Sequence, residues 1–466
     1  MALIAPFTPS AAQAWPPHSE LTRLTENVRN YRLYQNQLDA FLPKVRGIKN
    51  NESPIKINLF RRLSKYWADC LFSSPPTIDA GDPNANDFIE RLLPSLLDAS
   101  YNSVIDFSRY GTGIYLARYI DGPVIESVSA PHFFPIVDRF DQTRMVAAIY
   151  AFIQDKTNDV SVAPNTPVAS AGANTEVVIN YYDGQTVQTT VYGSSSNGLD
   201  RVLNESPAIS LNTLPFAVMK NCPDPRSMFG TSDYTDIVPV VEEIIHRATG
   251  ISKVLDRHTN PHLYVDEAVL RETAEDGSVS VDTDGSLFPV TESGNTPGYL
   301  TWDGQLGANF QMMDGMMDYF FIMSSLSPAA FGILRAGLSE SGSALRRLYK
   351  PTQSKILRMR FEYERGIKEI IRKSAEVTRA MGGAVGDVDS ISISWSSDED
   401  DSMMERVEAE AQLVSNGIVS RKFAVQRLFG LTEAEAQQIV EEAQEEVNSR
   451  RNATPVTPEP EPTTSE

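Results

Sequence analysis

One pattern limits what this chain can fold into more than any other. Residues 231–258 carry apolar side chains at Ile237, Val241, Ile244, Ala248, Ile251 and Leu255, spaced 4, 3, 4, 3 and 4 apart. Such a stripe belongs to a helix packed lengthwise on other helices. At 1.5 Å per residue the helix is expected to run roughly 35–40 Å. Ser232 or Asp233 is its expected N-cap. Pro239 falls early, where a proline costs least, and Pro261 ends the pattern. A second helix of this kind is expected over 307–326, with Phe310, Met313, Met317, Phe320 and Ser324 spaced 3, 4, 3 and 4 apart. Between the two, 259–306 reads as short strands and turns, with strands near 262–265, 278–281, 287–290 and 299–302. Two striped helices around a small β insert describe a stalk carrying a tip.

The flanking sequence has a different character. Residues 1–18 read as a flexible arm. Pro6 and Pro9 interrupt any signal-like apolar run, and no basic segment precedes it. Helices are expected over 19–50, 58–72 and 87–109, the last bent at Pro94. Strands follow at 110–120, 123–128, 145–154, 176–182 and 185–192, with Asp183-Gly184 as a hairpin turn. The polar stretch 155–174 reads as a loop. Residues 19–230 are thus an α+β region, helices first and a mostly antiparallel sheet second, within a chain that is mainly helical.

After the second striped helix, 327–342 breaks helical order with Ser327-Pro328, Gly332, Gly337 and Gly342. A very long helix then runs over 343–381 and is expected to kink at Pro351. It holds 11 basic and four acidic residues, a local net of +7. A strand at 391–395 completes a segment taken as 343–402. Three helices are expected at 403–415, 420–429 and 432–448, within a helical region 403–450. The Pro/Thr/Glu-rich end, 451–466, reads as disordered. From Asp398 onward 16 acidic residues oppose six basic ones.

Composition removes several functions. The chain has 466 residues and a formal charge of −20. Tight duplex binding relies on cations neutralising phosphates, so general polyanion binding is excluded, as is docking on an anionic membrane. Two cysteines suit a reducing compartment rather than a disulfide scaffold. No run of about 18 uncharged apolar residues spans a bilayer. No phosphate loop is present, and Tyr110-Gly-Thr-Gly113 reads as a turn. His258 and His262 stand four apart, but Pro261 breaks their helix, so a structural role is expected rather than a metal site. The acidic run 398–401 reads as a solvated linker. Asp314 and Asp318 are expected to face solvent or a channel, not to act as a catalytic pair. Cys70 has no activating neighbour. No catalytic set, metal site or cofactor site is expected.

The order of elements, together with several local stretches, resembles the portal proteins of tailed bacteriophages, the head-to-tail connector family. The stretches are NLFRRLSKYWADCLF at 58–72 with Pro75-Pro76, the strand region ending in PIVDRFDQTR at 135–144, GTSDYTDIVP at 230–239, SGSALRR at 341–347, and SNGIVSR at 415–421 followed by Leu428-Phe-Gly-Leu431. The resemblance covers about residues 20–450.

It implies a non-enzymatic ring, typically of twelve copies, at one capsid vertex, assembled in the host cytoplasm and carried in the virion. Double-stranded DNA would be packaged and ejected through it. Terminase large subunit, head-tail adaptor or neck proteins, major capsid protein and scaffolding protein would be its partners, with no membrane. In family terms 19–230 with 343–402 form the wing, 231–258 and 307–326 the stem, and 259–306 the clip. Residues 327–342 form the tunnel loop, with Ser327, Pro328, Phe331, Leu334, Arg335 and Glu340, and 403–450 form the crown. A conduit must let a duplex slide, so an acidic wall is expected, with Glu242, Glu243, Asp314 and Asp318 as contributors. The basic helix 343–381 is expected away from the axis or paired with acidic neighbours. Competing readings are another connector or minor capsid protein, or an intracellular hydrolase or nucleotidyltransferase. The former lack the stem-clip-stem order, and the latter need a catalytic set.

Overall fold

The computed structural model describes residues 3–37, 55–155, 175–195, 198–223, 226–259, 263–264, 298–299, 306–333, 342–395, 403–429 and 433–452. Contacts divide the chain into two units, Met1–Trp395 and Ser396–Glu466.

The first unit begins with strand β1 (Leu3–Ile4) and helices α1 (Leu21–Tyr34), α2 (Leu59–Phe72) and α3 (Pro83–Tyr110), with β2 (Thr77–Asp79) between the last two. Asn58 caps α2 by accepting a hydrogen bond from the Arg61 amide at 2.9 Å. Phe60, Leu63, Trp67 and Leu71 then fall on one face, and all are buried. Pro83 occupies the first turn of α3, where its missing N–H costs nothing, and Gly111 closes the helix at φ +81°. Strands β3 (Thr112–Tyr119), β4 (Pro123–Ser127), β5 (Phe133–Val137), β6 (Met145–Asp155), β7 (Thr175–Tyr182), β8 (Thr186–Ser195), β9 (Gly198–Glu205), β10 (Ile209–Ser210) and β11 (Phe216–Lys220) follow.

They form two main sheets. The larger runs β1-β5-β6-β7-β8-β10, with β9 also paired to β8. All its pairings are antiparallel except that of β1 with β5. The smaller is antiparallel, in the order β11-β3-β4. It lies within the principal core, where α2, α3 and the long helix bury Trp67, Phe88, Tyr115 and Tyr363.

The stalk follows as α4 (Tyr234–Thr259) and α5 (Leu306–Ser324), which pack on each other. Just beyond them β12 (Leu263–Tyr264) pairs antiparallel with β13 (Gly298–Tyr299), so the two ends of the insert meet. The remaining expected insert strands lie outside the described residues. Helix α6 (Gly342–Ala380) carries Pro351 inside it. Strand β14 (Ser392–Ser394) returns to pair with β2. The second unit holds α7 (Met403–Ser415), α8 (Arg421–Phe429) and α9 (Glu433–Asn452).

The expected flexible arm needs correction. Leu3–Ile4 extends the larger sheet, Trp15 is buried, and its ring lies 4.9 Å from that of Phe134. The Leu199 amide donates to the Gln13 carbonyl. The sheet face bearing Phe134, Ile136 and Ile149 is apolar, and the arm supplies the apolar cover. The first helix ends at Tyr34, and the remainder of its expected range lies mostly outside the described residues. Strands β9 and β11 were not expected. The polar loop 156–174, the acidic run 398–401 and His262 lie outside the described residues.

Three segments cross at one point. The Asn221 amide donates to the Gly111 carbonyl, and the Thr231 amide donates to the Asn221 carbonyl. A Cβ on Gly230 would stand 2.2 Å from Asn221 O and 2.3 Å from Gly111 O. Backbone on both sides leaves no room to yield. Gly230→Ala is therefore expected to destabilise the first unit by about 2–3 kcal/mol or more. Gly250, on the open face of α4 with nothing within 4 Å, is its control. Gly250→Ala is expected to stabilise by about 0.5–1 kcal/mol. Thermal unfolding of the two variants checks the contrast.

Candidate functional site

The foot of the stalk is built on a buried ion pair. Helix α4 begins just after Ser232 and Asp233. Ser232 Oγ accepts from the Tyr234 amide at 3.1 Å and donates to the Arg109 carbonyl at 2.7 Å, fastening the helix start to the end of α3. Asp233, one of the two expected caps, serves otherwise. Its Oδ1 accepts from Lys355 Nζ at 2.8 Å and Asn221 Nδ2 at 2.7 Å, and its Oδ2 from Ser108 Oγ at 2.8 Å. The Lys355 and Asp233 side chains are 6% and 7% exposed. The ammonium also sits over the Trp67 ring, 4.4 Å from its centre. One carboxylate thus joins α3, the end of β11, α4 and α6, with α2 supplying the aromatic face. Burial raises the Tyr234 phenol far above its ordinary pKa. The hydroxyl stays neutral and donates to the Phe60 carbonyl at 3.1 Å.

Above this foot the stripe residues separate into two groups. Ile237, Val241, Ile244 and Ile251 are buried, Ala248 is half-buried, and Leu255 is 44% exposed. On α5, Phe320 and Ser324 are buried, Met313 and Met317 are half-buried, and Phe310 is 43% exposed. The start of α4 and the end of α5 share the principal core, so the helices run antiparallel and their far ends emerge from it. Helix α5 also leaves Met312, Tyr319, Ile322 and Met323 exposed, a large apolar flank that no described residue covers.

The expected acidic wall is mixed. Glu243 pairs with Arg247 at 2.7 Å, Glu242 and Asp318 are half-buried, and Asp314 is exposed. The start of the expected loop is anchored. Residues 328–331 form a 3-10 turn, and Phe331 packs against Tyr66 and Phe321 with ring centres 5.4 and 6.1 Å away. Ser327 is buried and Pro328 half-buried. Thr352 Oγ1 donates to the Ser325 carbonyl at 3.0 Å, tying α6 to the end of α5. Leu334, Arg335 and Glu340 lie outside the described residues.

Of the seven positive charges that α6 carries in excess, Lys355 is met by Asp233, and the ion pairs of Arg365, Lys368 and Lys373 lie within the helix itself. Lys368 pairs with Glu364 and Lys373 with Glu369, both at 2.6 Å, while Arg365 pairs with Glu362 at 2.9 Å. Arg365 Nη2 also donates to Val218 O at 2.8 Å, and Lys373 Nζ to Phe216 O at 2.5 Å, both on β11. The cations thus fasten helix to sheet. Among the described residues no group of His, Cys, Asp and Glu is placed to hold a metal. None of the described helices is long and apolar enough to cross a membrane.

The family profile described as "Phage portal protein, SPP1 Gp6-like" matches residues 15–449. No curated protein matches the chain. Among solved structures, the virion of native gene transfer agent particle matches at 10% identity and TM-score 0.46. It covers 91% of this chain and 96% of that one. The neck of native gene transfer agent particle computed with C12 symmetry matches at 12% identity and TM-score 0.43, covering 79% and 89%. At such scores the likeness adds nothing to the family match.

Losing one member of a buried ion pair leaves an uncompensated charge. Lys355→Met is expected to cost about 3–5 kcal/mol. Asp233→Asn combined with Lys355→Met is expected to cost clearly less than the sum of the single changes. Denaturant unfolding of the four forms measures the coupling.

Proposed function

The chain belongs to the SPP1 Gp6-like phage portal protein family, and from that premise we propose that it assembles as a ring through which double-stranded DNA enters and leaves a capsid. The family is structural, and the role is that of a channel rather than an enzyme. Twelve copies is the count the family resemblance implies. The observation that carries the reading is the bare flank of α5. Met312, Tyr319, Ile322 and Met323 stand 41–68% exposed along one side of the helix. Covering the half of each that is still exposed contributes roughly 1 kcal/mol. Neighbouring copies of the same helical pair offer that cover, in the way that subunits of a ring bury one another's sides.

In this reading residues 231–258 and 307–326 are the stem, 259–306 the clip, and 327–342 a loop directed at the channel. Residues 19–230 and 343–402 are the wing, and 403–450 the crown. The loop is sprung from a fixed base, because Phe331 is held between Tyr66 and Phe321. The net charge of −20 suits a conduit. Every phosphate a cation neutralises raises affinity and holds the duplex back, whereas carboxylates keep it moving. Asp314, exposed on α5, is the clearest contributor to such a wall, with Asp318 and Glu242 behind it. Glu243 is engaged by Arg247 and contributes less. The clip would meet terminase during filling and neck proteins afterwards. The particle's capsid and scaffolding proteins would hold the ring at its vertex.

Ile322→Asp places a charge on the flank that neighbouring copies are proposed to cover, at a position 68% exposed in the single chain, so the monomer's own fold is left intact. It is expected to abolish rings in negative-stain images of the purified chain, and normal rings would count against the stem assignment. Removing residues 334–340 is expected to leave rings intact while heads fail to fill with or retain DNA. Normally filled heads would remove the loop from the channel.

A further inference from the structure

A rigid turn in the larger sheet presents an aromatic side chain to solvent. Phe140 lies between β5 and β6 and is 94% exposed. The turn holds its own shape. The Asp138 amide donates to Arg144 O at 2.9 Å, and the Arg144 amide to Asp141 O at 3.1 Å. Asp138 Oδ1 accepts from the Phe140 amide at 2.8 Å. Asp141 Oδ1 accepts from the Thr143 hydroxyl at 2.6 Å and amide at 2.9 Å, and these bonds hold its carboxyl below the usual range. Both carboxylates are occupied within the turn, whereas Arg139 has no charged partner among the described residues. An exposed aromatic beside an unpaired guanidinium, on backbone that loses no freedom on docking, has the makeup of an interface anchor.

A complementary concavity exists on the same chain. Between α3 and β4 lies an open cavity of about 690 Å³. Tyr34 gives it apolar surface in front of the buried Ile105 and Ile125, Ser95, Asn102 and Ser127 give it polar groups, and Asp98, Asp106 and Glu126 give it carboxylates. Asp106 is neutralised by the buried Arg109, and Glu126 is paired with Arg118 at 3.1 Å. Asp98 is exposed and has no charged partner among the described residues. The cavity therefore offers the Tyr34 ring and one anion without a charged partner among the described residues, and the turn offers one exposed ring and one such cation.

We propose that the Arg139–Phe140 turn of one copy seats in this cavity of a second copy, with Phe140 against Tyr34 and Arg139 on Asp98. The inference rests on the ring reading above and assigns it a specific contact in the α+β region. Knob and socket are built from different residues of one chain. Their contact is head-to-tail, the type that closes into a ring when the rotation between copies permits. It is also independent of the stem, where apolar flanks of helices meet.

The test is ring assembly of the full chain as a function of concentration, followed by sedimentation velocity. Phe140→Ala is expected to raise the concentration for half-assembly about 30-fold, the equivalent of about 2 kcal/mol. Arg139→Glu and Asp98→Lys are each expected to raise it about 10-fold or more, while Arg139→Glu combined with Asp98→Lys returns it to within about 3-fold of wild type. All three positions are exposed, so thermal unfolding of the monomers should be unchanged. Phe140→Ala assembling like wild type, or a double variant no better than its parents, overturns the seat. A wild-type chain that stays monomeric at every concentration overturns the ring reading itself, so the two failures are distinct.

Discussion

The ion pair between Asp233 and Lys355 is the constraint on which the arrangement of the first unit depends. A carboxylate and an ammonium, both almost fully buried, are tolerated only when geometry and further hydrogen bonds compensate their desolvation. Here Ser108, Asn221 and the Trp67 face complete the set. Each partner belongs to a different element, so none can shift without exposing the charge to an apolar core. The pair fixes where α4 leaves the body and where α6 passes it. Gly111 and Gly230 let the backbones come close enough for this to happen.

From that fixed foot the stalk changes character along its length. Ile237, Val241, Ile244 and Phe320 belong to the principal core. Leu255 and Phe310, at the far ends, are bare, as is the flank of α5. The stalk is thus packed into the core at one end and exposed at the other, as the proposed contact between copies requires. Arg365, Lys368 and Lys373 of α6 pair with Glu362, Glu364 and Glu369 of the same helix. Arg365 and Lys373 also bind carbonyls of β11 and hold helix to sheet, while the helix as a whole keeps a positive excess.

Much of this was legible in the sequence, and what was missed was missed for physical reasons. The 4-3-4-3 stripes located both stalk helices, and their order around the insert pointed to the family. Asp183-Gly184 marked its hairpin, and Asn58 its helix start. The stripe did not reveal that Ala248 and Leu255 lie outside the buried core, because periodicity identifies a face without saying whether this chain or another covers it. Strand β11 was hidden because Phe216-Ala-Val-Met-Lys220 lacks polar alternation, being buried at four of its five positions. The arm deceived through composition, since prolines and alanines suggested mobility while Trp15 and Leu3 had an apolar sheet to cover. Lys355 gave a signal that a count of charges passes over. It stands three after Thr352 and four before Met359, on the buried stripe of α6, where a lysine requires a partner.

The proposed channel requires that the two stalk helices stand side by side around a hole that a duplex can occupy. Electron cryomicroscopy of the assembled chain, viewed along its symmetry axis, tests it most directly. The account predicts a closed ring in which Tyr234–Thr259 and Leu306–Ser324 surround the hole, Tyr319 and Ile322 are covered by the neighbouring copy, and Asp314 faces the lumen. A hole lined by the arginines of Gly342–Ala380, or a ring whose stalk flanks remain in solvent, would contradict it.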